Sequence, residues 1–205
     1  MTKRLNAKKK ISRKLGVALW GGAKDPYVKR NYRPGQHGQA MKSRGSDYGL
    51  QLRAKQRLRF YYGNISERQF HNIFKLAAKS KGDTSANFIA SLESRLDAIV
   101  YRANFAPTVF AARQLINHKH FKVNGKSVNI PSYRLVAGDI VQIRDKSKNL
   151  NIILEALQKM ERDLPAYLQA NLEDKSVKLL SLPLFSDVPY PVEMQPHLIT
   201  EFYSR

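Results

Sequence analysis

Residues 92–146 run from Leu92-Glu93-Ser94-Arg95-Leu96-Asp97 through Ala112-Arg113-Gln114-Leu115 and His118 to Val123-Asn124-Gly125 and Gly138-Asp139, and within them the apolar period changes from helical to strand-like. Phe88, Leu92, Leu96 and Ile99 recur at three- and four-residue steps, which predicts a helix over about residues 86–103. Phe105-Ala106-Pro107 breaks it, and Thr108 is a good N-cap for a short helix carrying Val109, Ala112 and Ile116. β-structure follows at once. Asn124-Gly125 signals a hairpin in Phe121–Ile130, and a type II′ turn centred on Gly125-Lys126 sets Val123 opposite Val128 and Phe121 opposite Ile130. Ala137-Gly138-Asp139 then turns the chain into a strand over Ile140–Arg144.

Towards the C-terminus, Ile153, Leu157 and Met160 predict a helix over residues 150–163, ended by Pro165, and Val177–Leu182 reads as another strand. Pro183, Pro189, Pro191 and Pro196 favour an extended connector. His197–Tyr203 is short, apolar and aromatic, so it should dock on the helices of residues 46–82, making the β-containing part an insertion in a helical domain.

Towards the N-terminus, Leu50, Ala54, Leu58 and Tyr61 mark one helix face, flanked by the like-charge pairs Arg53/Arg57 and Lys55/Arg59. A phosphate partner would relieve that repulsion. Gly63 ends this helix, Ser66-Glu67-Arg68-Gln69 fits a capping box, and Phe70, Ile73, Phe74 and Ala77 carry the next helix to about Gly82. Before residue 46 the apolar anchors Ile11, Leu15, Trp20 and Tyr32 are scattered among cations, and Arg33-Pro34-Gly35-Gln36-His37-Gly38 must turn or extend. Such a stretch is expected to order itself against its partner.

Charge is graded along the chain. Residues 1–60 hold 17 Lys/Arg against 2 Asp/Glu, residues 61–144 hold 12 against 5, and residues 145–205 hold 7 against 9. One end is built to lie against a polyanion. Residues 1–45 lack the wide apolar helix face of a membrane-surface binder, so nucleic acid is the expected partner and no membrane is. There are no cysteines, which excludes disulfides and Cys-ligated zinc and fits a reducing cytoplasm.

No catalytic constellation is present: there is no Walker loop, dinucleotide fingerprint, H-E-x-x-H or G-x-S-x-G. His118 and His120 have no nearby Cys or carboxylate to complete a metal site, so no metal or cofactor is expected. Arg95-Leu96-Asp97 is similar to the tripeptide around the catalytic Asp of pseudouridine synthases. Here Ala98-Ile99-Val100 continues the helix, and Asp97 is expected in a helix-surface charge network.

The span 92–146 resembles the small RNA-binding module named after ribosomal protein S-four. Its flanks, Pro34-Gly35-Gln36-His37-Gly38, Asp47-Tyr48-Gly49-Leu50-Gln51-Leu52-Arg53, Tyr62-Gly63, Glu67-Arg68-Gln69-Phe70 and His197-Leu198-Ile199-Thr200-Glu201-Phe202-Tyr203-Ser204, resemble the bacterial small-subunit S-four family itself. The resemblance implies an α+β fold: a basic N-terminal arm (1–45), a helical domain (46–90, completed by 190–205) and an inserted α/β domain (91–189) of two short helices and a small antiparallel sheet. It implies a non-enzymatic protein of the cytoplasmic small ribosomal subunit. Such a protein binds the 5′ domain of small-subunit ribosomal RNA and nucleates assembly of the subunit body. Ribosomal protein S-five and other neighbours are implied partners, with an influence on translational accuracy and mRNA passing near. The alternative on the same module is a stand-alone RNA-modifying enzyme or an RNA-binding chaperone. The expected RNA contacts are Arg13, Arg30, Arg33, His37, Arg44, Arg53, Lys55, Arg57, Arg59 and Arg68, with Arg95, Arg102, Arg113, His118, Lys119 and Lys122 in the module. Two departures stand out. The cysteine zinc site of some relatives is missing, and Val109 and Phe110 follow Thr108 where a basic residue is common.

Overall fold

The computed structural model describes residues 8–21, 25–40 and 45–204. The chain divides into two units: one formed by Met1–Phe70 with Tyr190–Arg205, the other by His71–Pro189. The division falls inside a helix, about twenty residues before the boundary near residue 90 read from the sequence.

In the first unit, α1 (Lys8–Leu15) and α2 (Pro26–Lys29) precede the long α3 (Asp47–Tyr61). Ser46 caps α3 by accepting from the Gly49 amide. Ala54, Leu58 and Tyr61 are buried as the periodicity requires, but Leu50 is exposed and Gln51 and Lys55 are buried instead. The cause is α9 (Pro196–Ser204), which packs along α3 and turns that flank inward. The described residues before 46 pack onto the helical unit. Ile11, Leu15 and Leu19 are buried, and the Trp20 indole donates to the Tyr61 carbonyl. Three such burials contribute about 1.5–3 kcal/mol each, enough to hold a short segment onto α3. In the Arg33–Gly38 turn, a Cβ on Gly38 would overlap the Arg33 carbonyl, so only glycine fits there.

Helix α4 (Glu67–Lys79) begins at the expected cap, with the Ser66 hydroxyl accepting from the Gln69 amide. Helices α5 (Thr84–Glu93), α6 (Leu96–Arg102) and α7 (Val109–Asn117) follow. The single helix expected over 86–103 is therefore broken. Arg95 is extended (φ −74°, ψ 143°) and forms an antiparallel bridge with Arg134. The Leu96 and Asp97 amides donate to the Tyr133 and Pro131 carbonyls, while Ser94 accepts from Leu135. These long-range bonds replace the helical ones.

The five described strands form one antiparallel sheet in the order β2-β1-β3-β5-β4. They are β1 (Phe121–Val123), β2 (Lys126–Val128), β3 (Ile140–Ile143), β4 (Leu168–Asn171) and β5 (Ser176–Leu179). The α+β class is as expected, but the hairpin register is not. Val123 pairs with Lys126 and Phe121 with Val128. Asn124 (φ 47°) and Gly125 (φ 78°) are both left-handed, which makes Asn124-Gly125 the turn and the type I′ rather than II′. The Asn124 side chain decides it, donating to Asp139 and accepting from the Ile140 amide. Across the sheet, Phe121 faces Ile143 and Val123 faces Val141, which faces Val177; all five are buried.

Helix α8 (Asn151–Lys159) ends at left-handed Met160, well before Pro165. The following residues are drawn off by the loop before α7: Asn104 donates to the Arg162 carbonyl, and Arg162 donates back to the Ala106 and Pro107 carbonyls. Strand β4 has no counterpart in the sequence reading. The expected strand over 177–182 stops at Leu179.

Candidate nucleic-acid interface

In the first unit the expected contacts fall into two groups. Arg30 and His37 are exposed around the arm's turn, and Arg68 is exposed on the first turn of α4. Arg33 is half-buried, and Arg44 lies outside the described residues. Arg13 is scaffold: it donates to the Tyr32 and Arg33 carbonyls and stacks on the Tyr32 ring. Lys55 is also turned inward, donating to Glu67 at 2.8 Å with its ammonium over the Phe202 ring. Arg59 reaches the same carboxylate at 3.5 Å. These bonds engage Arg13 and Lys55 within the protein, whereas Arg59, half-exposed, spends one Nη on its long contact.

Arg53 and Arg57 remain half-exposed on α3. Burial lowers the Arg57 pKa, Glu193 raises it, and the neighbouring Arg53 lowers it again. Arg57 donates one Nη to the Glu193 carbonyl, while its Nε is buried without an acceptor. Two guanidiniums repelling each other beside an unfilled donor form a local demand for an anion.

Glu67 anchors the closure of α9 onto this helix, accepting from Tyr203 at 2.8 Å as well as from Lys55 and Arg59. Burial pushes its pKa up, but hydrogen bonds from Lys55 and Tyr203 and the charges of Lys55 and Arg59 bring it below the ordinary 4.5. The same contact and burial push the Tyr203 phenol well above its usual value. A lowered carboxyl contributes stability above its unfolded value, and that contribution is lost as pH falls through the folded value. Glu67→Gln should therefore cost under about 1 kcal/mol near neutrality. The difference from the parent should begin to fall below the ordinary carboxylate value and vanish below the lower folded one, read as urea midpoints against pH.

In the second unit, Arg95 and Arg102 are not surface residues. Arg95 is 3% exposed and donates to both Asp97 oxygens at 2.9 and 2.6 Å, and Arg113 reaches the same carboxylate at 3.3 Å. Arg102 is 2% exposed and holds Glu93 at 3.2 and 2.8 Å, with the Tyr167 hydroxyl donating to the same carboxylate. Asp97 does join a charge network, but a buried one between α6 and α7, with Arg95 and Arg113, rather than one on a helix surface.

Of the contacts expected in this unit, those that face outward lie at the end of α7. His118 closes that helix and Lys119 (φ 63°) turns the chain sharply, so both stand exposed at a corner. Lys122 pairs with Asp145 at 2.9 Å, and Lys148 with the same carboxylate at 3.0 Å. Their hydrogen bonds and charges hold Asp145 down to about 2. Burial, then the charges of His118 and Arg144, lower His120, whose Nδ1 shares a hydrogen bond with the Ser147 hydroxyl. Exposed Lys146 and half-buried Arg144 near this edge, and exposed Lys75 and Lys79 on α4, were not among the expected contacts. Lys75 and Lys79 lie seven and eleven residues after Arg68, opposite Phe70, Phe74 and Ala77, a spacing that could have exposed them. Among the described residues no cluster of His, Asp or Glu could hold a metal ion, and no helix is long and apolar enough to cross a membrane.

Residues 3–93 match the family described as Ribosomal protein S4/S9 N-terminal domain, and residues 94–141 match the S4 domain. Small ribosomal subunit protein uS4 of Nitrobacter winogradskyi is 57% identical over 205 residues, covering all of both chains. Those of Azorhizobium caulinodans and Caulobacter vibrioides are 53% and 56% identical over 205 and 204 residues, again at full coverage. The chain belongs to the uS4 family. It is a structural protein of the small ribosomal subunit, not an enzyme. The S4 domain match spans α6, α7 and the β1–β2 hairpin, so the exposed corner at His118 and Lys119 lies within it.

Proposed function

We propose that this uS4 family member binds small-subunit ribosomal RNA directly, in the 5′ domain, and that binding nucleates assembly of the subunit body. A neighbour of the S-five type and an influence on decoding accuracy belong to the same reading. What carries it is the separation of cations in the S4 domain. Arg95 and Arg102 are neutralised in the interior by Asp97 and Glu93, while His118 and Lys119 stand outward with no acid adjacent in sequence. A surface sorted in this way attracts phosphate without weakening the core. Recognition then proceeds by geometry and 2′-hydroxyls, because the major groove of an RNA helix is too narrow for side chains.

The test is a titration of the full chain against a 5′-domain rRNA transcript from 0.05 to 0.4 M salt. The proposed contacts predict a log–log slope steeper than about −4. A slope near zero, or equal affinity for an unrelated structured RNA, would sink the reading.

A further inference from the structure

Asp145 is an acid set among the cations that carry the proposed RNA contact. Its Oδ2 accepts from Lys122 at 2.9 Å and its Oδ1 faces Lys148 at 3.0 Å, so each oxygen holds one ammonium. The Asp145 side chain is 71% exposed, and ion pairs this open to water add little to folding. Its position is fixed all the same. The short 3-10 helix Asp145–Ser147 is pinned to the residue after Lys119: the Arg144 amide donates to the His120 carbonyl at 2.9 Å, and buried Ser147 shares a 2.8 Å hydrogen bond with His120 Nδ1. Lys175 holds the far end at the Lys148 carbonyl. Asp145 therefore stands beside the His118–Lys119 corner, with Arg144 and Lys146 as its chain neighbours. Other acids lie close by but do other things. Asp139 is engaged by Asn124 and the Val136 amide, Asp174 by Asn171, and Glu173 is exposed; none of the three pairs with Lys122 or Lys148.

A phosphate that reaches either ammonium must displace this carboxylate or tolerate its charge at close range. We propose that Asp145 is a selectivity residue: an internal counter-ion that withholds Lys122 and Lys148 from loosely bound RNA and yields them where folded rRNA sets phosphates against both. The inference rests on the RNA-binding reading above. Weak exposed pairs suit such an exchange, because breaking them costs a matched complex little. An RNA of another shape does not bring phosphates to both ammoniums together, so the lysines stay with Asp145 and contribute nothing to it. Discrimination then comes from a repulsive group built into the surface rather than from one more attractive contact.

Asp145→Asn keeps the side-chain shape and removes the charge. The full chain and this variant are titrated at about 0.15 M salt with the 5′-domain rRNA transcript and with an unrelated structured RNA. The variant is expected to bind the unrelated RNA about four- to thirtyfold more tightly, with a log–log salt slope steeper by about 0.7–1.8, the share of one or two further neutralised phosphates. Its affinity for the transcript should rise by no more than about twofold, so the ratio of the two affinities narrows. In a chain carrying Lys122→Gln and Lys148→Gln, adding Asp145→Asn should move either affinity by less than about twofold, because the charge it relieves is gone. An equal rise for both RNAs, a fall for either or no change would overturn the proposal, as would a full effect in the chain without the two lysines. Urea midpoints should match the parent's; a variant unfolded under the assay conditions would make the pairs structural and overturn it too. A parent chain that binds both RNAs equally, or with a slope near zero, would instead overturn the RNA-binding reading.

Discussion

Glu93→Ala is expected to lower the unfolding free energy by about 3–5 kcal/mol. The Glu93 and Arg102 side chains are 0% and 3% exposed, and their two hydrogen bonds are joined by Tyr167 on the carboxylate and the Pro189 carbonyl on the guanidinium. Removing the acid leaves a guanidinium in the interior without the carboxylate that faces it. The cost is that uncompensated charge, not the lost attraction, because two desolvated ions gain little over a well-packed apolar pair. Glu93→Leu combined with Arg102→Leu should therefore recover most of the loss. Urea unfolding of the two variants measures both effects. A single-variant loss under about 1 kcal/mol, in the range of surface pairs, would mean that water reaches the pair.

Arg53→Gln combined with Arg57→Gln is expected to weaken rRNA binding by about fifteen- to thirtyfold at about 0.15 M salt and to flatten the log–log salt slope by about 1.4–1.8. Each phosphate neutralised carries a slope of about 0.7–0.9, and two of them between about 0.15 and 1 M salt give that factor. Glutamine keeps a donor for the Glu193 carbonyl that Arg57 now contacts, so an unchanged urea midpoint separates lost binding from lost folding. Lys159→Gln with Lys178→Gln, both exposed in the second unit, is the control and should leave the slope near its parent value. Arg162 would be a poor control, since it holds the Ala106 and Pro107 carbonyls and stacks on Tyr101 at 4.0 Å. Equal losses from the test and control pairs would place the RNA elsewhere.

The two buried arginines show how far side-chain chemistry can be read without a fold. Arg95 and Arg102 sit in a basic sequence beside acids two and nine residues away. On one continuous helix over 86–103, neither spacing marks those pairs as buried partners. The break at Ser94-Arg95 changes that geometry, and its cause lies nearly forty residues downstream, in the carbonyls of Pro131 and Tyr133. No local pattern carries that information. The hairpin failed for a related reason. Asn-Gly announced a turn, but the choice between Asn124-Gly125 and Gly125-Lys126 rests on the Asn124 bonds to Asp139 and Ile140. The exposure of Arg30, His37, Arg68, His118 and Lys119 was legible, because a polar side chain in a loop or on an outward helix face needs no distant partner to reach solvent.

The helices over Asp47–Tyr61, Glu67–Lys79 and Val109–Asn117 and the Ser66 and Thr108 caps follow from period and capping alone, and the apolar, aromatic end of the chain was expected on the helices of residues 46–82. Those signals are local, and burial of one apolar face is enough to orient each element. The family follows from motifs in their order along the chain. Tertiary structure alone decided which cations are spent inside, where the sheet registers, and that the chain leaving β5 is tied back to the Tyr167 carbonyl. Each of those depends on a partner distant in sequence: Glu93 for Arg102, Asp139 for Asn124, Tyr167 for Leu180. Such partners meet only once the chain has folded, because loop closure, not local preference, brings them together.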